Sequence, residues 1–103
     1  MGREVIFAPE ALADLFDLYD HIAADSSAER ARGYTDRIVV TCRNLVSFPE
    51  RGTPRDDLRP GLRTTTYRRR VTIAFHITAT QVIDRIAYGG RDLLALFKEG
   101  NDG

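Results

Sequence analysis

The side chains with the clearest chemistry in this sequence are its arginines. Among 15 basic side chains, Lys98 is the only lysine. The planar guanidinium fork binds carboxylates and phosphates through paired hydrogen bonds and stacks on rings, so this bias favours molecular recognition. Codon preference in a GC-rich genome would give the same composition. It would not explain why three arginines stand together at 68–70.

Several of these residues fall near the predicted ends of strands. Arg63 opens one predicted strand, residues 68–70 form the next turn, Arg85 and Tyr88 belong to the last strand, and Arg91 follows it. If they share one region, that region would bind RNA phosphates or an acidic peptide. The alternative is a solvated hairpin tip beside ordinary strand ends.

Signatures of catalysis are scarce in the sequence. It lacks a glycine-rich phosphate loop, a paired-histidine metal motif and a nucleophile elbow. We interpret His21 as a surface residue, His76 as a cross-strand structural residue and Cys42 as core filling. We therefore expect no catalytic residue, no metal and no cofactor.

Length and charge limit the choice of protein class. The chain has 103 residues and 15 acidic side chains, which balance the basic ones. We expect a single domain over residues 1–103, in the cytoplasm, because neither a signal peptide nor an apolar run of membrane-spanning length is present. One cysteine excludes an internal disulfide.

Two amphipathic helices are predicted in the first half of the chain. Apolar residues recur at helical spacing after Pro9, which suits a first helical position. Residues 25–27 break this pattern, and Ser26 with Glu29 forms a capping box that predicts a second helix to about Phe48. Three aspartates lie outside the apolar stripe of the first helix and are expected on its solvated side: Asp14, Asp17 and Asp20.

The rest of the chain predicts β-structure. Strands are expected at residues 3–8, 62–67, 71–78 and 81–88, and a short helix at 91–97. Helices and strands are segregated, which is typical of α+β proteins. The predicted fold is α+β, with an N-terminal strand, an antiparallel helical hairpin, an antiparallel three-stranded meander and a short C-terminal helix.

One loop resembles a known family. Residues 48–63 read Phe-Pro-Glu-Arg-Gly-Thr-Pro-Arg-Asp-Asp-Leu-Arg-Pro-Gly-Leu-Arg. This order of Phe-Pro, Gly, Pro-Arg, an acidic residue, Leu and a final Gly-x-Arg resembles the loop of ParE-type toxins in the ParE/RelE superfamily. Residues 85–92 resemble the closing strand of that family and residues 8–15 its first helix, so the resemblance covers about residues 5–97.

The sequence departs from the family pattern at three places. Ala8 stands where the family has a serine or threonine cap, and Tyr88 stands where a histidine is frequent. The arginines at 68–70 replace a turn that commonly contains glycine.

The resemblance implies the toxin of a type II toxin–antitoxin module. Such toxins act on DNA gyrase and are not enzymes, and a ParD-like antitoxin wraps them in a heterotetramer or larger complex. The antitoxin lays a helix on the helical hairpin and an extended piece along the sheet. Contact with DNA is then expected only through the antitoxin or gyrase, and no membrane is involved.

Surplus apolar surface on the second helix, at Val39, Val40 and Val46, agrees with such wrapping. The residues expected to bind the antitoxin are Leu15, Tyr19, Val39, Val46, Arg63, Arg70, Phe75 and Arg85. Those expected to bind the target are Arg68, Arg69, Tyr88 and Arg91.

Two alternatives remain open at the level of sequence. A RelE-type ribosome-dependent mRNA endoribonuclease would use Arg63 and Arg85 to clamp phosphate and Tyr88 or His76 as acid or base. The scarcity of lysine argues against that activity. A non-toxic module that only binds antitoxin is the other alternative.

Overall fold

A computed structural model describes residues 4–47, 52–89 and 95–97 of the chain. The element order begins with strand β1 (Val5–Phe7), helix α1 (Pro9–Asp25) and helix α2 (Ala28–Asn44), followed by a 3-10 turn (Leu45–Ser47). Four strands follow: β2 (Thr53–Pro54), β3 (Arg63–Tyr67), β4 (Val71–Ile77) and β5 (Gln81–Tyr88). Residues 95–97 are helical, and the remainder of the predicted C-terminal helix lies outside the described residues.

The two helices begin differently. Ala8 precedes α1 and provides no side-chain cap, whereas Pro9 occupies the first turn. Helix α2 is capped by Ser27, whose Oγ accepts a hydrogen bond from the Arg30 N–H at 3.1 Å. The prediction of Ser26 as cap was wrong by one residue, because the Ser26 N–H is still bound to the Ile22 carbonyl at the end of α1.

The sheet is five-stranded and mixed, in the order β1-β5-β4-β3-β2. Strands β3, β4 and β5 form the predicted antiparallel meander, but β1 pairs with β5 in parallel, and β2 extends the opposite edge. The meander was therefore only part of the sheet. The helical hairpin and strands β2, β3 and β4 all lie between β1 and β5 in the chain, so this parallel pair has the long connection that it needs. Strand β2 has two residues and is too short to show a period of two.

The helices cover one face of the sheet. The main hydrophobic core lies between the helices and this face of the sheet. Residues paired across two strands share a face, so Val71, Ile73 and Phe75 of β4 contribute to the core together with the β5 residues opposite them. All three are buried, which confirms the alternation predicted for this strand. On the opposite face, Ala74 packs in a smaller cluster with Leu62 and Phe97.

Candidate functional site

A groove of about 1270 Å³ opens where the helical hairpin meets the turn between β3 and β4. Four arginines line it, namely Arg30, Arg37, Arg69 and Arg70, against one described carboxylate, Glu29. Within the described ranges, none of these four guanidinium groups forms an ion pair. We call this cleft the arginine groove; it has the charge of a site for an anionic ligand.

Aromatic side chains also line the arginine groove. Tyr88 and His21 face each other with ring centroids 5.5 Å apart, and Tyr34 packs edge-on against Tyr67 at the same distance. The Gly89 N–H bonds to the Arg70 carbonyl at 3.2 Å, which places the end of β5 beside the turn. The structure thus brings Arg69, Tyr88 and Arg70 together. The first two were predicted to bind the target, and Arg70 was assigned to the antitoxin.

The turn that carries these arginines has an unusual backbone. Arg68 and Arg69 have φ angles of 52° and 60°, in the left-handed region that Asn-Gly normally occupies in a two-residue hairpin. Arg68 lies outside the groove, with its guanidinium 5.5 Å from the Tyr67 ring centre. Left-handed conformations cost an L-residue roughly 1–2 kcal/mol each, so the turn stores strain that a glycine would remove.

Arg85 is engaged inside the chain. Its Nε and Nη2 donate to the two carboxylate oxygens of Asp14 at 2.9 and 3.0 Å. The Ile86 N–H donates to Asp14 as well, at 2.8 Å. Asp14 is 2% exposed, so the prediction that it lies on the solvated side of the first helix was wrong. The reason is the end of β1: beyond Phe7 no described strand pairs with this edge of β5, and Asp14 accepts the Ile86 N–H instead.

Phe75 was also expected at the antitoxin surface and is instead a core residue. It is fully buried beneath the helices, where a partner cannot reach it.

Arg63 is half-buried at the far end of the sheet from the arginine groove, and its Nη2 donates to the Gly52 carbonyl at 3.1 Å. The basic residues predicted to share one region are therefore divided, because Arg63 pairs with Phe75 at one end of β4 and Tyr88 with Val71 at the other. Arg91 lies outside the described residues.

This division bears on the ribonuclease alternative. Arg63 and Tyr88 lie on the helix-covered face at opposite ends, and Arg85 holds Asp14. His76 is on the other face, where its Nδ1 lies 2.6 Å from Asp84. The four residues that this activity would use do not converge on one phosphate.

His76 takes part in a small polar cluster that includes Asp84 and Arg59. A β-bulge between the pairs Ala74–Arg85 and Phe75–Ile83 leaves Asp84 as an extra residue, which turns towards His76. Arg59 donates to Asp84 at 3.4 Å and stacks 4.7 Å from the Phe97 ring centre. This agrees with the structural role predicted for His76, since the cluster ties loop and tail to the sheet.

The loop of residues 55–61 is held by its own side chains. Arg55 and Asp57 form a bidentate pair at 3.0 Å, and this hydrogen bond raises the pKa of Arg55 and lowers the pKa of Asp57. Gly52, at the start of the described loop, has a φ of 106°, and a Cβ there would lie 2.8 Å from the Thr64 carbonyl. The glycine of the Phe-Pro-x-x-Gly motif is thus required by close backbone packing.

An apolar stripe runs along the outside of α1. Phe16 is 69% exposed and Leu12 44% exposed, and their spacing of four places them on one side of the helix. Sequence reasoning chose their neighbours Leu15 and Tyr19, which are half-buried. Helical periodicity places all four in one apolar stripe, and only the packing of the hairpin shows which of them stay exposed.

The valines of α2 do not form one surface. Val39 is half-buried, whereas Val40 is 53% exposed and lines a separate hollow of about 340 Å³ with Tyr67 and Arg37. The side chain of Val46 lies outside what the structure describes. The surplus apolar surface predicted for α2 is therefore present at Val40.

Cys42 is fully buried in the core, and burial raises the pKa of its thiol from 9.0 to about 12. Among the described residues, no group of three or more His, Cys, Asp or Glu side chains is arranged to hold a metal ion. None of the described helices is both long and apolar enough to cross a membrane.

Comparison with known proteins identifies the class. A family model described as the ParE toxin of type II toxin–antitoxin system, parDE, matches residues 5–93. The chain therefore belongs to the ParE toxin family. Among solved structures, a chain of the "Chromosomal ParDE TA system from P. aeruginosa" is similar, with 27% identity and a TM-score of 0.73 over 84% of this chain and 95% of the other. No curated protein matches the chain.

Proposed function

We propose that this type II toxin inhibits DNA gyrase in the cytoplasm and is neutralised by a ParD-like antitoxin. Membership of the ParE family over residues 5–93 is the observation that carries the proposal. Two surfaces of the chain support it, because a small toxin must present one surface to its antitoxin and one to its target. Its activity is inhibition by binding, without catalysis.

The antitoxin surface is proposed at the apolar stripe of α1. Leu12 and Phe16 are large apolar side chains left exposed on a helix whose other side is packed in the core. An antitoxin helix that covers them would bury area worth roughly 25 cal/mol per Å². Tyr19, Leu15 and Val39 would border this contact, and the complex is expected to be a heterotetramer or larger.

The target surface is proposed at the arginine groove. Arg69, Arg70 and Tyr88 lie there together, with Arg68 on the same strained turn. Strain of this kind persists where a site needs particular side chains in fixed positions.

Inducible expression in a bacterial host, with and without the neighbouring antitoxin gene, tests the function. We expect growth arrest with filamentous cells and a DNA-damage response, and full relief when the antitoxin is present. A nalidixic-acid-type gyrase poison is the positive control, and the same vector with the reading frame interrupted is the negative control.

The other outcomes identify the alternatives. Arrest with rapid loss of translation and no DNA-damage response would contradict gyrase inhibition and favour the ribonuclease. Normal growth with folded protein detected in the cells would favour a non-toxic module that binds antitoxin.

A further inference from the structure

We propose that the arginine groove binds single-stranded nucleic acid, with its guanidinium groups on the phosphates and its aromatic rings against the bases. The proposal rests on the proposed function only in placing the target-binding surface at this groove, and it replaces the expectation that DNA is contacted only through the antitoxin or gyrase. Its test measures binding directly, so it can fail while the chain still arrests growth.

The charge of the groove fits a phosphodiester chain. Arg30 and Arg37 come from α2, and Arg69 and Arg70 from the opposite wall, so cations line both sides of the cleft. Arg30, Arg69 and Arg70 are exposed, and no described carboxylate neutralises them. A chain of phosphates would supply anions along the whole cleft, and the bidentate fork of arginine suits each one.

The rings of the groove fit bases. Tyr88 and Tyr34 are half-buried and therefore held in position, and His21 lies beside Tyr88. Proteins that bind single strands combine a cationic groove with rings of this kind, because every base has a flat face to stack. In a duplex the bases are already stacked and paired, so a cleft of about 1270 Å³ would meet only the backbone.

An acidic peptide fits the groove less well. Peptides that dock by strand addition need a free sheet edge, and the groove instead meets the turn after β3, the start of β4 and the end of β5. A bound helix needs an apolar groove, whereas four arginines line this one. An acidic peptide would use the cations, but it has no flat rings to stack on the tyrosines as bases do.

The strained turn adds an independent argument. An Asn-Gly pair would form the same hairpin without a left-handed arginine, yet the chain has Arg68 and Arg69 there. This backbone places Arg69 on the groove wall beside Arg70.

Fluorescence anisotropy on the full chain, made by cell-free synthesis, tests the proposal. The probes are fluorescein-labelled oligothymidylate and oligouridylate of about 12 nucleotides, within the site sizes of single-strand binders. An abasic strand, a duplex of equal length and a polyglutamate peptide complete the set. We expect one or both single strands to bind, and the ratio of their dissociation constants shows whether the groove prefers DNA or RNA. The dissociation constant should rise with about the second to third power of salt concentration, as expected for four phosphates.

Matched arginine variants locate the site. Arg30→Gln with Arg69→Gln should weaken single-strand binding by about tenfold or more and lower the salt exponent by about 1.4. Arg32→Gln with Arg43→Gln removes two exposed arginines of α2 that do not line the groove, and should change binding by less than about twofold. All four side chains are exposed, so both double variants are expected to fold.

Three results would overturn the proposal. The first is equal single-strand binding by the two double variants, and the second is equal binding of the single strand and of either the abasic strand or the duplex. The third is no binding of either single strand; if polyglutamate then binds and the groove variant loses that binding, the groove is a peptide-docking surface.

Discussion

At the scale of single residues, Asp14 shows how one carboxylate can hold three parts of the fold. It lies on α1, accepts two hydrogen bonds from Arg85, and accepts a third from the backbone of Ile86 on an unpaired strand edge. The Arg85 side chain is 14% exposed and also reaches the Leu96 carbonyl at 3.4 Å. This ion pair therefore fixes helix α1, strand β5 and the tail together.

Replacing Asp14 by asparagine should destabilise the chain by at least about 2 kcal/mol, because it leaves the Arg85 charge buried without its partner. Urea denaturation of the purified chain measures this loss. Asp17→Asn, an exposed aspartate on the same helix, is the matched control and should stay within about 0.5 kcal/mol of the wild type. Equal stability of Asp14→Asn and wild type would show that the ion pair contributes nothing.

Cys42 gives the fold a dependence on alkaline pH. Burial keeps its thiol protonated in the folded chain until a pKa of about 12, while the unfolded thiol ionises near the ordinary value of 9.0. Stability should therefore fall as pH rises above about 9, by up to about 1.4 kcal/mol per pH unit, and this contribution is fully present below that pH. Urea denaturation from pH 8 to pH 11 should show a shallower slope for Cys42→Ala than for wild type. Parallel slopes for the two proteins would contradict this assignment.

At the scale of elements, the strained turn between β3 and β4 is the part of the fold most open to improvement. Arg68→Asn with Arg69→Gly should raise the free energy of unfolding by about 1 kcal/mol. The strain energy relieved at the two left-handed positions should exceed two losses, which are the exposed stacking of Arg68 on Tyr67 and the extra conformational entropy of glycine in the unfolded chain. Thermal denaturation measures the gain. Arg70→Asn is the control, because Arg70 is exposed on the same turn without a positive φ. A double variant less stable than wild type would contradict the strain argument.

The apolar stripe of α1 should separate antitoxin binding from stability. Phe16→Asp is expected to weaken the complex with antitoxin by at least about a hundredfold, since it puts a charge where an apolar side chain would be covered. The same change should leave the isolated chain within about 0.5 kcal/mol, because Phe16 is 69% exposed. Ala24→Asp, which puts the same charge on an exposed residue of α1 about two turns beyond Phe16, is the control. Titration calorimetry that shows wild-type affinity for Phe16→Asp would contradict this placement of the antitoxin.

The sequence predicted the elements better than it predicted their surroundings. Periodicity located both helices and β4, since each is long enough to show a repeat, whereas threonine content located β3 and the flanking turns located β5. It could not place Asp14, because the burial of that carboxylate depends on where β1 stops pairing with β5, a contact across the whole chain. Nor could it show that Phe75 is covered by the helices while Phe16 is not.

At the scale of the whole molecule, the topology divides the basic residues that sequence order had grouped together. Arg63 lies on β3, and Arg85 and Tyr88 lie on β5, with β4 between the two strands; strand direction, a β-bulge and one ion pair then place the three side chains apart. The arginines and rings that do converge are those at the turn and on α2. Of the candidate site, the sequence predicted Arg69 and Tyr88, and it missed Arg30, Arg37 and Tyr34 because helical phase alone does not say what a helix faces.

A supercoiling assay measures whether this toxin acts on gyrase, as we propose. Purified bacterial gyrase and relaxed plasmid would be incubated with the chain, with the chain plus antitoxin, and with heat-unfolded chain, and a translation extract would be tested in parallel. We expect the chain alone to cause loss of supercoiling or accumulation of cleaved plasmid, and the antitoxin to restore normal supercoiling. Translation should be unchanged. Normal supercoiling together with mRNA cleavage in the translation extract would contradict this proposal.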